Sequence, residues 1–228
     1  EAQCGIRTFE PGEFLDTVTR AAAAGIASTV HAIGDAAVAL ALDVLGRPAL
    51  RVPALPHRIE HVQCCPPDLL ERIDETDVTC SVQPAHLITD WRAADRHWGG
   101  RARWTYAFRS LLDHGARLAF GSDAPVEPVD PRRAFLAALA RTDLDGAPIG
   151  GWHDEERLGP TDVLRAFTTG PASAAGATGF LGVLAPGAAG DLIAWDRDPL
   201  DVDGPASLEL TCRATIVDGE VVHSLPPH

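Results

Sequence analysis

Residues 25–35 read Gly25-Ile26-Ala27-Ser28-Thr29-Val30-His31-Ala32-Ile33-Gly34-Asp35. The apolar, β-branched run Ile26–Val30 ends on a histidine, and Gly34-Asp35 opens an alanine- and leucine-rich stretch with helical periodicity. This is a strand followed directly by a helix. At the C-terminal end of a buried parallel strand, a side chain points into the mouth of an α/β barrel, where metal and substrate sites are built. A lone strand histidine is more often a hydrogen-bonded core residue than a ligand, so the meaning of His31 depends on how the other strands end.

Working outward, the same alternation recurs. Pro11-Gly12 precedes a helical run, 13–24, with Gly25 as its C-cap, and the helix over 35–45 is stopped by Gly46 and Pro48. A Pro-rich linker, 51–56, leads to a strand over 57–62, and Pro66-Pro67 start a helix over 67–75. A third strand spans 77–83. The stretch 84–100, carrying His86, Trp91, His97 and Trp98, is predicted as a long loop of the kind that carries binding groups. A helix over 102–113, a strand over 117–123, a helix near 131–141, a Gly/Pro/Asp-rich loop over 143–159 and a helix over 161–175, capped by Thr161-Asp162, follow.

Strands alternating with helices indicate a parallel sheet, and four βα units are half of an eight-stranded barrel. After Gly179 the texture changes to short strands at 181–184, 191–195 and 214–222, with Asp218-Gly219 as a type I′ hairpin signal. The fold class predicted is α/β: half of a TIM-type (β/α)8 barrel over residues 1–180, then a small all-β segment over 181–228. A half barrel has an open sheet edge, a pairing liability unless covered.

Composition narrows the function. The chain of 228 residues is 46% apolar, with a net charge of -13, which argues against nucleic acid or an anionic membrane as partner. All 19 basic residues are Arg; Lys, Asn and Met do not occur. The chain therefore cannot supply a lysine nucleophile, a Schiff base or a carbamylated lysine, and its start at Glu-Ala-Gln reads as a fragment or processed piece. The five cysteines (Cys4, Cys64, Cys65, Cys80, Cys212) form no CxxC pair and read as reduced thiols of a cytoplasmic protein. No signal peptide or membrane span is expected, since the longest apolar stretch is broken by His31, Asp35 and Asp43.

Three of the four strands end on residues that a divalent metal accepts: His31, His61 and Asp123. Imidazole and carboxylate are usual donors for Zn²⁺, and a catalytic zinc keeps one position for water. From the residues alone, a metal site and a coincidental polar rim both remain open.

His-Ala-Ile-Gly-Asp-Ala-Ala-Val (31–38), Arg-Ile-Glu-His-Val-Gln (58–63), Ser-Val-Gln-Pro-Ala-His (81–86), Phe-Gly-Ser-Asp-Ala-Pro-Val-Glu-Pro (120–128) and Pro-Gly-Ala-Ala-Gly-Asp-Leu-Ile-Ala-Trp-Asp-Arg-Asp-Pro-Leu (186–200) resemble the amidohydrolase superfamily. The closest branch is the amidohydrolase-3 group that includes N-substituted formamide deformylase. The resemblance runs from about Thr8 to the C-terminus and makes this the C-terminal part of the barrel. It implies His31 and His61 as the fifth- and sixth-strand metal ligands, and Asp123 as the eighth-strand aspartate that binds metal and takes a proton from the attacking water. The tail would be part of a composite sandwich completed by N-terminal strands.

The family's HxH pair and fourth-strand lysine have no match here. The implied centre of one or two Zn²⁺ ions is thus at most half supplied. The implied function is hydrolysis of a non-peptide C–N bond in a small amide or formamide, with the N-terminal half of the barrel as the missing partner and a homo-oligomer as a further possibility. An inactive remnant or one partner of a split protein is the alternative.

His86 is a candidate to hydrogen-bond the substrate carbonyl, set against a loop residue capping local backbone. Trp91, Trp98 and Tyr106 read as core packing or a pocket wall. Asp35 reads as a helix cap, Glu60 and Gln63 as supporting residues, and His153-Asp154-Glu155-Glu156 as a solvated loop.

Overall fold

The computed structural model describes residues 5–226; Cys4 lies outside them. In chain order the elements are α1 (Pro11–Ala23), β1 (Thr29–Ala32), α2 (Asp35–Leu45), β2 (Arg58–His61), α3 (Pro67–Asp74), β3 (Thr79–Val82), α4 (His86–Trp98), α5 (Phe108–Asp113), β4 (Arg117–Phe120), α6 (Pro131–Ala140), α7 (Pro160–Phe167), α8 (Thr169–Ala174), β5 (Leu192–Trp195), α9 (Gly204–Ser207), β6 (Cys212–Val217) and β7 (Glu220–Ser224). The fold is α/β, as expected: a four-stranded parallel sheet ordered β1-β2-β3-β4 with helices between its strands, then an antiparallel sheet ordered β5-β6-β7.

The chain forms two compact units. One comprises the residues up to Val82 together with Ala94–Leu118; the other comprises Gln83–Ala93 and Ala119 onward. In the first, β1 pairs with β2 in the register Thr29↔Arg58, His31↔Glu60 and Ala32↔His61, and β2 pairs with β3 through Ile59↔Cys80. Helix α2 buries Val38, Ala41, Leu42, Val44 and Leu45. Helix α3 buries Leu69, Leu70 and Ile73. β1 is less buried than its apolar run suggested: Ile26 is 59% exposed, and β2 is its one neighbour among the described residues. In the second unit, Phe167 lies edge-on to Phe120 and stacked on Phe135, joining β4, α6 and α7.

Local chemistry explains the boundaries that were legible. Gly25, at φ +76°, ends α1 while the Ile26 N–H returns to the Ala21 carbonyl. Asp218 (φ +51°) and Gly219 (φ +79°) both take the left-handed conformation that a type I′ turn demands between β6 and β7.

Five expectations are corrected. The stretch 84–100 is mainly helix, not loop, because Leu87, Ile88, Trp91, Ala94 and Trp98 recur at helical spacing. The helix expected over 102–113 is a 3₁₀ turn over Gly99–Trp104 followed by α5. Between them, Tyr106 sits at φ +53° with its N–H on the Gln63 carbonyl, and Cys65 N–H holds the Trp104 carbonyl. The helix over 161–175 breaks at Thr168, because Pro171 has no N–H and its ring meets the carbonyl four residues back. Residues 181–184 form no strand: Gly182, at φ +72°, is backed against the Thr168 carbonyl, and Leu181 makes one isolated bridge to Thr178. The caps of α2 and α7 are Gly34 and Gly159, not Asp35 or Thr161-Asp162.

Candidate functional site

In the first unit, His61 is the last residue of β2 and His31 the last but one of β1, one step apart in the parallel register: His31 pairs with Glu60 and Ala32 with His61. The rings of His31 and His61 meet edge to face, 4.4 Å between centroids. His31 is exposed and His61 half-buried. Directly after β2 the backbone turns sharply: His61 has φ +75°, and the Val62 N–H closes onto the Glu60 carbonyl at 3.1 Å, a three-residue turn with His61 at its apex. Val62 follows at φ +44°, unusual for a β-branched residue, and is itself buried. Strained backbone of this kind persists where surrounding structure fixes it, and it concentrates at functional positions.

The loop that leaves β2 is fastened on both sides. Cys64 N–H donates to the Ile33 carbonyl, and Cys64 bridges to Thr105. Asp35 accepts from the Ala36 N–H and pairs with Arg101 at 2.6 Å. Burial pushes the Cys64 thiol up to about 11, helped by the Asp35 carboxylate and opposed by Arg101; burial takes Cys80 to about 12 and raises Cys65 as well. These thiols stay protonated at neutral pH and supply no thiolate nucleophile. Cys64, Cys65, Cys80 and Cys212 are all free, as expected. Glu60 pairs with Arg58, and Tyr106 is buried against Phe108 as core.

In the second unit, the buried His86 opens α4, and its Nε2 lies 3.8 Å from Asp123 Oδ2. Asp123 stands just beyond β4 in left-handed conformation, φ +56°, with its carbonyl accepting from the Val126 N–H. The 3.8 Å gap is too long for a hydrogen bond. It does suit two groups sharing one cation, since metal–nitrogen and metal–oxygen bonds of about 2.0–2.2 Å place two donors up to about 4 Å apart. Donor chemistry and spacing therefore fit a divalent metal. Arg92, lying over the Trp91 ring, reaches from α4 to Asp143 at 2.9 Å. Asp143 also accepts from the Asp145 and Ala147 N–H groups. Burial works against the Asp143 charge, but these N–H groups and Arg92 outweigh it and hold the carboxyl below its usual range.

The model of the amidohydrolase family matches residues 1–223. The chain belongs to this family. It is 32% identical over 228 residues to Protein LONG AFTER FAR-RED 3 of Arabidopsis thaliana, covering 96% of this chain and 38% of that protein. It is 28% identical over 221 residues to N-substituted formamide deformylase of Arthrobacter pascens, covering 94% of this chain and 40% of that enzyme. Among solved structures, an uncharacterized metal-dependent hydrolase from Pyrococcus horikoshii superposes with a TM-score of 0.76 at 33% identity, covering 89% of this chain and 40% of that one. This amidohydrolase chain thus spans about two fifths of the length of the relatives it matches.

Sequence reading singled out His31, His61, His86 and Asp123, and the fold pairs the first two within one unit and the last two within the other. It did not flag the left-handed turn at His61-Val62, because neither residue type announces positive φ. It also passed over Arg92 and Asp143, whose contact joins positions far apart in the chain.

Proposed function

We propose that this chain is the C-terminal part of a metal-dependent hydrolase that cleaves non-peptide C–N bonds of small amides or formamides, with residues 1–180 belonging to the barrel and 181–228 to the β segment. The observation that carries the reading is the placing of metal-donor side chains where strands end, His31 against His61 and Asp123 just beyond β4 with His86, the first residue of α4, beside it, in a member of the amidohydrolase family. A relative named N-substituted formamide deformylase supports the amide substrate class. The metal-dependent hydrolase from Pyrococcus horikoshii supports the metal.

In this reading His31, His61 and Asp123 hold the metal, Zn²⁺ by the chemistry of its donors. When bound, such an ion lowers the pKa of water from 15.7 towards about 7 and polarises the scissile carbonyl. Asp123 accepts the proton of the attacking water on a carboxylate oxygen and returns it to the departing amine. His86 donates from an imidazole N–H to the substrate carbonyl oxygen, orienting it and stabilising the negative charge that develops there. A histidine pair and a lysine from outside this stretch would complete a two-metal centre, since the chain has no HxH and no Lys.

Metal content of the purified chain, with hydrolysis of an N-substituted formamide by the full-length protein, tests the proposal. Stoichiometric zinc that is lost on His61→Ala, together with turnover that falls at least 100-fold on Asp123→Asn, is the expected result. Unchanged zinc content and unchanged rate in both variants would overturn it.

A further inference from the structure

His57 lies at the opposite end of β2 from His61 and is buried, with 3% of its surface exposed. Both ring nitrogens are engaged. Ser28 N–H donates to Nδ1 at 2.9 Å, and Nε2 lies 2.8 Å from the Leu50 carbonyl oxygen. A backbone N–H can only donate, so Nδ1 carries no proton, and the hydrogen on Nε2 points at Leu50. The imidazole is therefore neutral and held in one tautomer. The backbone of the same residue accepts from Thr79 N–H, while Arg58 N–H donates to the Ser28 carbonyl. One side chain thus ties together the lead-ins of β1 and β2 and the turn at Pro48–Leu50, and its carbonyl reaches the start of β3.

These contacts fix the β1–β2 register. From Ser28 and His57 the ladder runs upward through Thr29↔Arg58 to Ala32↔His61. In this register His31 stands opposite Glu60 and Ala32 opposite His61, so the two histidines alternate across the pleat and meet because the backbone turns left-handed at His61. A slip of one residue would carry His31 about 3.3 Å along the strand relative to that turn. β1 needs such a pin more than an inner strand does, because β2 is its one paired neighbour among the described residues. The ladder itself is only four residue pairs long.

We propose that His57 is a positioning residue: its neutral ring, bonded to Ser28 and Leu50, registers β1 against β2 so that His31 and His61 meet at the far end of both strands. The link from that meeting to metal affinity rests on the functional reading above; the positioning itself does not. His57→Gln is the conservative variant, since its amide keeps one acceptor and one donor at a reach close to that of the imidazole. His57→Phe fills the space and removes both bonds.

The test uses the metal-free 228-residue chain. Proton NMR contacts between the His31 and His61 rings and exchange of the Ser28 amide are measured first, and zinc affinity afterwards. In the wild type, Ser28 N–H, although outside the strand, exchanges as slowly as amides within β1, and ring nitrogen shifts show His57 protonated at Nε2 alone. His57→Phe loses the His31–His61 contact while keeping its helical circular dichroism, and binds zinc at least 10-fold more weakly. His57→Gln restores the contact and comes within about threefold of wild-type affinity.

A folded His57→Phe chain that retains the ring contact overturns the proposal, whatever its zinc affinity. If His57→Phe does not fold, His57→Gln decides: a retained contact with a protected Ser28 amide supports the pin, and a retained contact with a freely exchanging Ser28 amide overturns it. A wild type that binds no zinc breaks the metal reading, and the ring contact still decides the role of His57.

Discussion

In the parallel sheet, β3 hides Thr79, Cys80 and Val82, and β4 hides Leu118, Ala119 and Phe120, whereas every residue of β7 is exposed and none of β6 is fully buried. The difference follows from connectivity. Parallel strands need long crossovers, and here those crossovers are helices that lay apolar faces on the sheet. In the antiparallel sheet β6 and β7 are joined by a tight turn, and the β5–β6 connection brings only the short α9, which lies against α6 at Ala140 and Arg132. The parallel sheet is thus specified by burial and the antiparallel one by backbone pairing and turn chemistry, and changes in the two should have very different consequences.

The sharpest test of that contrast is a cavity in the parallel sheet. Ile59 is fully buried at the centre of β2, between Val30 and Cys80. Ile59→Ala should cost about 2–5 kcal/mol in denaturant unfolding. A loss below 1 kcal/mol would mean that burial does not hold this sheet.

A smaller effect is expected at the clip between α6 and the segment before β6. Arg132 binds Asp130 through two nitrogens and donates to the Leu208 and Leu210 carbonyls, while Ser207 Oγ donates to the Arg132 carbonyl. Arg132→Ala should cost about 2 kcal/mol, chiefly by leaving the buried Leu210 carbonyl without its donor. The Arg132 guanidinium also holds the Asp130 carboxyl below its usual range. A depressed acid contributes its stabilisation in full above the unfolded value of about 3.9 and loses it as pH falls through the folded value. The difference in stability between wild type and Arg132→Ala should therefore shrink below about pH 4, a trend that urea titrations at several pH values would read. A constant difference would assign the clip's contribution to the carbonyl bonds alone.

The two sheets also differ in how plainly the sequence announces them. Apolar runs ending on His31, His61 and Asp123, punctuated by Gly25, Gly46 and Pro67, mark the βα units, and the limits of α2 coincide with the expected 35–45. Helix α4 was hidden because tryptophan and alanine, among arginines and aspartates, fill its apolar stripe. The turn at Gly182 is imposed by a contact distant in sequence, as is the pairing of Arg92 with Asp143, whereas the break at Thr168 follows from Pro171 within the run read as one helix. Of the candidate site, the donor residues were legible because strand ends carry them. The left-handed backbone that aims His61 was not, because it depends on how the loop after β2 is tied to Ile33 and Trp104.

In the antiparallel sheet the turn should matter more than the faces. At Gly219 an added Cβ would meet nothing within 4 Å, so Gly219→Ala tests the left-handed backbone alone and should cost about 1–2 kcal/mol.

Val222, 62% exposed on β7, gives the smallest expected change. Threonine keeps the β-branched shape and strand preference while replacing a methyl by a hydroxyl that water can solvate. Val222→Thr should therefore shift stability by no more than about 0.5 kcal/mol, within the range of an ordinary surface substitution. The same substitution under a covered face would strand a hydroxyl away from water and cost on the order of 1–3 kcal/mol. Made in the 228-residue chain and again in a longer protein that includes whatever precedes Glu1, the pair of melting curves distinguishes a face that belongs to solvent from one that another segment covers. A neutral result in both chains keeps the contrast between the sheets as drawn. A loss confined to the longer protein would show that the antiparallel sheet, too, is specified by burial, with the covering residues lying outside this stretch.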